Sequence, residues 1–289
     1  MKLKDLFDIY CRELRRRKRD KTINDMIAFY NNNIRDRKIA PRLHNMPLSK
    51  IKRKHIRVLF NEMTDEGYPY KANRLIKILS AAYTIGLEEE LVSENVAKGI
   101  KRHTEVERER YCTPDELKRV FEILDQKMQS GRSQKGAVFI KLLILTGARK
   151  SELARATWGD LKDHCIVLKE HKTDGNKKER RIFLNESALA VINTLERGGD
   201  EDKIIGINDP RKLWDKVRVE AQIPDVVLHC LRHTYASFAL KSKKVSLVEI
   251  GNLLGHKSLQ STKRYSHFTD ETSIENAELV GEEMFNSIN

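Results

Sequence analysis

The sequence has no long apolar run and no pattern of a secretory leader. Its longest apolar stretch, residues 137–145, is interrupted by Lys141 and is far shorter than the roughly 20 residues that cross a bilayer. Residues 1–14 mix charges of both signs and lack the continuous apolar core and small-residue cleavage site of a signal peptide. We therefore predict no membrane partner and a cytoplasmic protein.

Cysteine is scarce and scattered, which excludes disulfide-stapled and zinc-stapled small proteins. The four cysteines, Cys11, Cys112, Cys165 and Cys230, form no Cys-x-x-Cys pair and lack the histidine spacing of a zinc site. We interpret them as reduced thiols. Because the chain also offers no carboxylate cluster for a divalent cation, we predict that it uses no metal and no cofactor.

Basic side chains are in excess, and they are unevenly distributed. The 289 residues include 55 Lys and Arg against 42 Asp and Glu, a net charge of +13. Residues 1–110 hold 26 basic and 16 acidic side chains, whereas residues 111–289 hold 29 and 26. Such a field attracts nucleic acid or anionic lipid. No segment combines a basic face with the bulky apolar face of an interfacial helix, so nucleic acid is the favoured partner.

The length and the spacing of apolar residues predict two domains. At about 150 residues per domain, the chain is long enough for two. In the first hundred residues, apolar side chains recur at the three and four spacing of amphipathic helices in four places, beginning near Leu3, Ile23, Ile56 and Leu75. Residues 101–110, KRHTEVERER, are charged throughout, as exposed linkers are. We therefore place a helical domain at 1–100, a linker at 101–110 and a second domain at 111–289.

The second domain is predicted to be mostly helical with a small antiparallel sheet, which makes the fold class mainly α, or α+β. Its first helix begins at Thr113, which has the spacing of a capping box with Glu116. Two strand-like runs, 165–171 and 180–184, flank the hairpin signal Asp174-Gly175. The helical patterns cover 117–124, 138–145 before Gly147, a start near 151, 187–195, 211–221, 229–240, 247–254, 262–267 and 274–285.

Four separated pieces of the second domain carry residues suited to phosphate chemistry. They are TGARKSEL with Arg149, HKTDG with Lys172, LHCLRHTYAS with His229 and Arg232, and LLGHKSLQSTKRYSHF with His256 and Tyr265. In order, spacing and local context these pieces resemble the tyrosine recombinase family, the phage integrases and their relatives. Every position of the family pattern, Arg, Lys, His-x-x-Arg, His or Trp, and Tyr, is filled. The resemblance covers roughly residues 111–270, and residues 1–100 resemble the family's helical core-binding domain less closely.

The same residues form a chemically consistent site for breaking a phosphodiester. Breaking and resealing this bond without an energy cofactor requires the bond energy to be stored, and a covalent phosphotyrosine at Tyr265 does this. Arg149 and Arg232 neutralise charge that develops on the phosphate, since a planar guanidinium gives bidentate hydrogen bonds. With a third donor from His256, such a site needs no metal. His229 lies three residues before Arg232 on the same helix face and is expected to assist proton transfer at the tyrosine.

Five further residues are expected to support this chemistry. The resemblance implies that Lys172 protonates the leaving 5′ oxygen. Glu152, one turn after the first arginine, resembles the acidic residue with which the family orients an active-site arginine or histidine. Lys71, Arg74 and Lys77 lie on or near the exposed side of the fourth helical pattern, and we predict that they contact DNA.

The resemblance implies a site-specific DNA recombinase, an integrase of a phage or mobile element. It also implies that the cytoplasmic protein is prokaryotic or viral and associates with the nucleoid. It implies cleavage and rejoining of duplex DNA through a covalent 3′-phosphotyrosyl intermediate and a Holliday junction, without metal or ATP. The expected partners are double-stranded DNA recombination sites, further copies of the chain in a homotetramer on DNA with a monomer in solution, and accessory DNA-bending or directionality proteins. Two alternatives stay open: type IB topoisomerase-like relaxation of DNA, and a catalytically silent DNA-binding regulator.

The two ends of the chain raise separate expectations. The segment after Tyr265 carries an apolar stripe at helical spacing, formed by Ile274, Ala277, Val280 and Met284. Such a tail helix docks either on its own domain or on a neighbouring subunit. The first helical pattern starts at Leu3, which leaves no room for the arm-binding module of many integrases, so either the protein uses simple sites or the chain is truncated.

Overall fold

The structure is a computed structural model of the chain, and it describes residues 1–18, 20–36, 41–105, 110–169, 179–242 and 245–256. The chain divides into two compact units, Met1–Glu107 and Arg108–Asn289. The division falls inside the segment for which the sequence predicts a linker, and the finer domain limits stay predictions. Within the described ranges, no helix is long and apolar enough to pass through a membrane.

The first unit is built from helices around one core. Its elements are α1 Leu3–Arg15, α2 Asp20–Tyr30 with a π-helical turn Asn31–Arg35, α3 Pro41–His44, a 3₁₀ turn Leu48–Lys50, α4 Arg53–Asp65 and α5 Pro69–Glu88. The long helices bury Leu6, Ile23, Ile56 and Leu79 in a common core. The four helices predicted from apolar spacing are therefore confirmed as α1, α2, α4 and α5. The sequence gives no sign of α3, because four residues are too few to show a helical period.

The second unit packs helices against a small sheet. Its helices are α6 Pro114–Gln129, α7 Gln134–Thr146, α8 Lys150–Arg155, α9 Glu186–Ile192, α10 Arg211–Glu220, α11 Leu228–Lys241 and α12 Leu247–Leu254, with a 3₁₀ turn Trp158–Asp160. The apolar helix α7 is buried along most of its length and forms the centre of the core. The mainly helical fold class with a small antiparallel sheet is confirmed.

Three short antiparallel strands form the sheet in the order β1-β2-β3. They are β1 Leu161–Lys162, β2 Cys165–Leu168 and β3 Arg180–Phe183. In β2 and β3, Val167 lies opposite Arg181. Of the strand predicted for 165–171, β2 confirms the part that ends at Leu168, Lys169 is not in a strand, and residues 170 and 171 lie outside the described ranges. The strand β1 was missed because two residues show no alternation. The predicted hairpin turn lies outside the described residues, as do the predicted helices at 262–267 and 274–285.

Three helix ends in this unit follow from the residues found there. At the start of α6, the Thr113 hydroxyl accepts from the Glu116 amide at 3.3 Å, and the Glu116 carboxylate accepts from the Thr113 amide at 2.8 Å. Gly147 ends α7 at φ +61° and Gly255 ends α12 at φ +66°. Glycine adopts this left-handed conformation without the strain of a side chain. The two glycine turns bring the carboxyl ends of α7 and α12 into the candidate site.

Candidate active site

Arg232 is a buried arginine that joins two helix ends. It lies on α11, and its Nη1 donates to the Gly147 carbonyl at 2.6 Å while its Nη2 donates to the Leu254 carbonyl at 2.6 Å. These carbonyls belong to the carboxyl ends of α7 and α12, where the helix dipoles favour a positive charge. The guanidinium is therefore fixed by backbone atoms far from it in sequence.

Arg149 lies just before α8 and is oriented by Glu152. The Arg149 amide donates to Glu152 Oε2 at 2.9 Å, and Nη1 donates to Oε1 at 2.8 Å. Nη2 donates to the Gly255 carbonyl at 3.1 Å. The Glu152 side chain is 9% exposed, whereas that of Arg149 is 43% exposed. Glu152 thus binds one edge of the Arg149 guanidinium, and part of the Arg149 side chain stays accessible to solvent.

The charge of Glu152 is maintained although the carboxylate is buried. Burial opposes ionisation, but the positive charge of Arg180 and the hydrogen bonds and charge of Arg149 outweigh it. The pKa of Glu152 therefore lies below its ordinary value. At neutral pH the carboxylate is ionised and acts as a hydrogen-bond acceptor for its arginines.

Arg149, His229 and Arg232 line one cavity of about 360 Å³. The other lining residues are Leu143, Ala148, Lys150, Ser151, Arg211 and Leu228. His229 is exposed on the first turn of α11. Its ring meets that of His233 edge to face, with 4.8 Å between the ring centroids. The structure thus brings two of the predicted arginines and one predicted histidine to the same cavity.

His256 follows Gly255, whose carbonyl is hydrogen-bonded to Arg149 at the edge of this cavity. Its amide donates to the Gly251 carbonyl at 2.9 Å, and the preceding residue, Gly255, accepts the hydrogen bond from Arg149. The side chain of His256 is half-buried. The two remaining predicted catalytic residues, Lys172 and Tyr265, lie outside the described residues.

Arg180 is a neighbour of the site that sequence reasoning missed. It is the first residue of β3, its side chain is 8% exposed, and its Nε lies 3.4 Å from Glu152 Oε1. The alternation along β3 contains a signal, because an inward Ile182 places the residue two positions earlier on the same buried face. A buried-face arginine in a strand is unusual enough to predict a partner of opposite charge.

A second charged residue, which pairs with two residues that line the cavity, was also missed. Asp209 Oδ2 accepts from Lys150 at 2.8 Å and forms an ion pair with Arg211 at 2.6 Å. Burial opposes ionisation of Asp209, but the hydrogen bonds from Arg211 and Lys150 lower its pKa well below the ordinary value. Asp209 thereby ties α10 to the start of α8, a pairing that no local pattern reveals.

The structure places the three predicted DNA-contacting residues on one exposed face of α5. Lys71, Arg74 and Lys77 are spaced by three residues and are all exposed. Lys71 Nζ lies 4.0 Å from the centre of the Tyr68 ring, and Arg74 Cζ lies 4.4 Å from the centre of the Phe29 ring. Lys77 forms an ion pair of 3.4 Å with Glu105. Two cations thus sit on aromatic rings, and the third has an acidic neighbour.

Metal ligands are not clustered in the part of the chain that the structure describes. There, no group of three or more His, Cys, Asp and Glu side chains is placed to hold a metal ion. The basic side chains at the cavity, by contrast, come from three separate helices of the second unit: α8 with its preceding residue Arg149, α10 and α11. The arrangement suits an anionic ligand such as a phosphodiester.

Comparison with known proteins matches this unit to a family. The model of the phage integrase family matches residues 110–272. The integrase of Escherichia phage P2 is 27% identical over 209 residues, which cover 70% of this chain and 57% of the phage protein. The tyrosine recombinase XerH of Campylobacter jejuni is 23% identical over 190 residues, which cover 61% of this chain and 53% of XerH. The match thus spans little more than half the length of these two relatives.

A solved structure shares the fold of nearly the whole chain. The lambda integrase tetramer bound to a Holliday junction superposes with a TM-score of 0.70 at 21% identity, covering 92% of this chain and 77% of that one. At this identity the likeness establishes the fold. The same fold therefore extends over both compact units.

Proposed function

The chain belongs to the phage integrase family, and from this premise we propose that it is a site-specific recombinase that cuts and rejoins duplex DNA. The observation that carries the proposal is the meeting of Arg149, Arg232 and His229 at one cavity, from segments far apart in the sequence. Two fixed guanidiniums at one cavity suit a single phosphodiester, because each presents a planar set of donors to the phosphate oxygens.

In this proposal the arginines stabilise the charge that develops on the non-bridging oxygens of the phosphate. A guanidinium carries five N–H donors. Arg149 uses one donor of Nη1 for Glu152 and one donor of Nη2 for the Gly255 carbonyl. The remaining donors are available to the phosphate. His256, one residue beyond Gly255, supplies a further hydrogen bond, so the charge is balanced without a metal.

The covalent step uses residues on three different segments. The Tyr265 oxygen attacks the phosphorus and the bond to the 5′ oxygen breaks, leaving a 3′-phosphotyrosyl link. His229 accepts the tyrosine proton, and Lys172 gives a proton to the leaving 5′ oxygen. Because the phosphotyrosine conserves the bond energy, a 5′ hydroxyl can later attack it and reseal the strand without ATP.

We further propose that strand exchange occurs in a homotetramer on DNA through a Holliday junction, with a monomer in solution. The shared fold with a tetramer that binds such a junction supports this assembly. Double-stranded recombination sites are the substrates, with accessory DNA-bending or directionality proteins as further partners. The helical residues 1–100 supply phosphate contacts, and the domain at 111–289 supplies the chemistry.

The direct test is adduct formation on a suicide substrate. DNA fragments flanking the gene, nicked near the cleavage point, should trap a protein–DNA covalent complex with the wild-type chain. Relaxation of supercoiled plasmid without recombination between two sites would favour the topoisomerase alternative. Site-specific binding without any adduct would favour the silent regulator.

We expect Lys172→Ala to slow cleavage of an ordinary phosphodiester by on the order of 10²-fold, because the 5′ oxygen leaves poorly without a proton. A 5′-phosphorothiolate should be slowed far less, since its sulfur leaves as a stable thiolate. Single-turnover cleavage of the two substrates measures the difference. Lys169→Ala, at an exposed position just after β2, is the control and should slow neither. Equal slowing of both substrates by Lys172→Ala would remove Lys172 from the acid role.

Replacing Lys71 and Arg74 by Ala should weaken binding to DNA of any sequence. Each phosphate contact that is lost should reduce the slope of log K against log salt by about 0.9, so the pair should lower it by about 2. Fluorescence anisotropy at several salt concentrations measures this slope. Lys98→Ala, another exposed cation of the same unit, serves as the control. An equal change from Lys98→Ala would show that α5 is not the DNA-binding face.

A further inference from the structure

Arg180 is a buried cation that the proposed chemistry does not use. Its guanidinium donates to the Leu253 carbonyl at 3.0 Å through Nη2 and to the Arg181 carbonyl through Nη1. Its Nε is buried and finds no hydrogen-bond acceptor of good geometry among the described residues, although Glu152 Oε1 lies 3.4 Å away. Removing this charge from water is costly unless its partners offset the loss of hydration. The partners of Arg180 therefore indicate what the residue does.

The first partner, Glu152, connects Arg180 to Arg149. Both side chains of the Arg180–Glu152 pair are nearly inaccessible, at 8% and 9% exposed. Glu152 Oε1 also accepts the hydrogen bond from Arg149 Nη1. Glu152 Oε1 therefore lies between the buried Arg180 and the more accessible Arg149. Arg180 and Arg149 thus share the carboxylate oxygen that orients Arg149.

The second partner is the turn that precedes His256. Arg180 holds the Leu253 carbonyl, and its side chain fills the space beside Gly255. A Cβ at Gly255 would lie 2.6 Å from Arg180 Nε and 2.7 Å from Cζ, and φ at this glycine is +66°. The turn at Gly255 therefore packs directly against the Arg180 guanidinium. Arg180 supports the segment whose next residue is His256.

We propose that Arg180 is a positioning residue that holds Glu152 and the turn 253–255 in one geometry, and so aligns Arg149 and His256 with the reacting phosphate. It has no direct contact with DNA in this role. The inference rests on the proposed function and adds to it a residue behind the site on which two of the phosphate-binding groups depend. A guanidinium suits this task because it donates in several directions at fixed angles, which a lysine ammonium does not.

The test uses Arg180→Lys in the full chain, because this change keeps the positive charge and removes the planar guanidinium with its fixed donor directions. We expect cleavage to slow on the order of 10²-fold, as displacement of catalytic groups by about 1 Å does. Affinity for a DNA half-site should remain unchanged. The control is Arg181→Lys, the exposed neighbour on β3, whose side chain contacts only Glu179 at 3.5 Å among the described residues. It should cleave at the wild-type rate.

A substrate change separates positioning from a general structural defect. A methylphosphonate at the scissile position has a methyl group in place of one non-bridging oxygen and is uncharged, so its cleavage depends less on an aligned Arg149. Arg180→Lys should therefore slow this substrate much less than the ordinary phosphodiester. Equal slowing of both substrates, or cleavage of both at the wild-type rate, would overturn the positioning role.

Hydrogen exchange gives a readout that does not require activity. The Arg149 amide donates to Glu152 and the His256 amide donates to Gly251. Both amides should exchange faster in Arg180→Lys while the thermal unfolding temperature stays close to wild type. Gly255→Ala, which displaces the guanidinium from the other side, should give the same two effects on exchange. Unchanged exchange, or loss of folding in both variants, would overturn the proposal.

The two proposals fail in distinguishable ways. A wild-type chain that forms no covalent DNA complex would contradict the proposed function, whatever the exchange rates show. A wild-type chain that cleaves normally, together with an Arg180→Lys variant that does the same, would leave the recombinase function intact and remove Arg180 from it.

Discussion

Tyr265→Phe is expected to abolish strand cleavage while half-site DNA affinity stays within about twofold of wild type, because the change removes no cation that contacts a phosphate. The variant loses one hydroxyl. That hydroxyl is the proposed nucleophile, and no other group in the mechanism can store the energy of the broken bond. Affinity, in contrast, comes mainly from many contacts between cations and phosphates, none of which is removed. The measurements are adduct yield on a nicked suicide substrate and binding by anisotropy.

Tyr235→Phe is the matched control for this experiment. Tyr235 lies on α11 beside the site, and its ring is 2.6 Å from where a Cβ on Gly147 would lie. Burial raises the pKa of its hydroxyl, which disfavours it as a nucleophile. The control variant should still form adducts. Adducts that persist in Tyr265→Phe and vanish in Tyr235→Phe would mean that the wrong tyrosine has been assigned.

Arg232→Lys is expected to reduce the rate of cleavage by on the order of 10³-fold, as loss of a transition-state donor does. The lysine retains the charge, but its donors sit on one nitrogen and cannot reproduce the planar fork in which Nη1 and Nη2 bind the Gly147 and Leu254 carbonyls and a phosphate oxygen. Because ground-state binding is distributed over the DNA backbone, half-site affinity should change little. Single-turnover cleavage and anisotropy together measure the two effects.

Arg211→Lys offers a control at the same cavity. Arg211 also lines it, but its side chain is 70% exposed and is paired with Asp209. We do not expect Arg211 to bind the reacting phosphate. The rate of cleavage by Arg211→Lys should therefore fall at most about tenfold, as it would after a slight displacement of neighbouring groups. An equal loss in Arg211→Lys and Arg232→Lys would contradict the assignment of Arg232 to the reacting phosphate.

Local sequence signals predicted most of the fold. The capping box at Thr113 and the glycine at position 147 fix the start of α6 and the end of α7 through interactions within a few residues. Apolar spacing predicted the long helices of the first unit, since each buries one face. Elements that span only about one repeat of their own period, such as α3 with four residues and β1 with two, leave no such signal.

The sequence predicted Arg149, His229 and Arg232, which the structure brings to one cavity, but it did not predict most of the contacts that hold them there. Arg149 and Glu152 are three residues apart, so their contact follows from helix geometry. The bonds from Arg232 to the Gly147 carbonyl and from Arg180 to the Leu253 carbonyl join residues 85 and 73 positions apart. Such contacts depend on how α7, α11, α12 and β3 pack together, which no local pattern contains.

Identification of the amino acid that becomes linked to DNA tests the central claim most directly. A complex trapped on a nicked substrate can be digested with nuclease and protease, and the peptide that retains a nucleotide can be sequenced by mass spectrometry. Our account predicts a single modified peptide that contains Tyr265, joined through its phenolic oxygen to a 3′ phosphate. A link to any other residue, or to a 5′ phosphate, would contradict it.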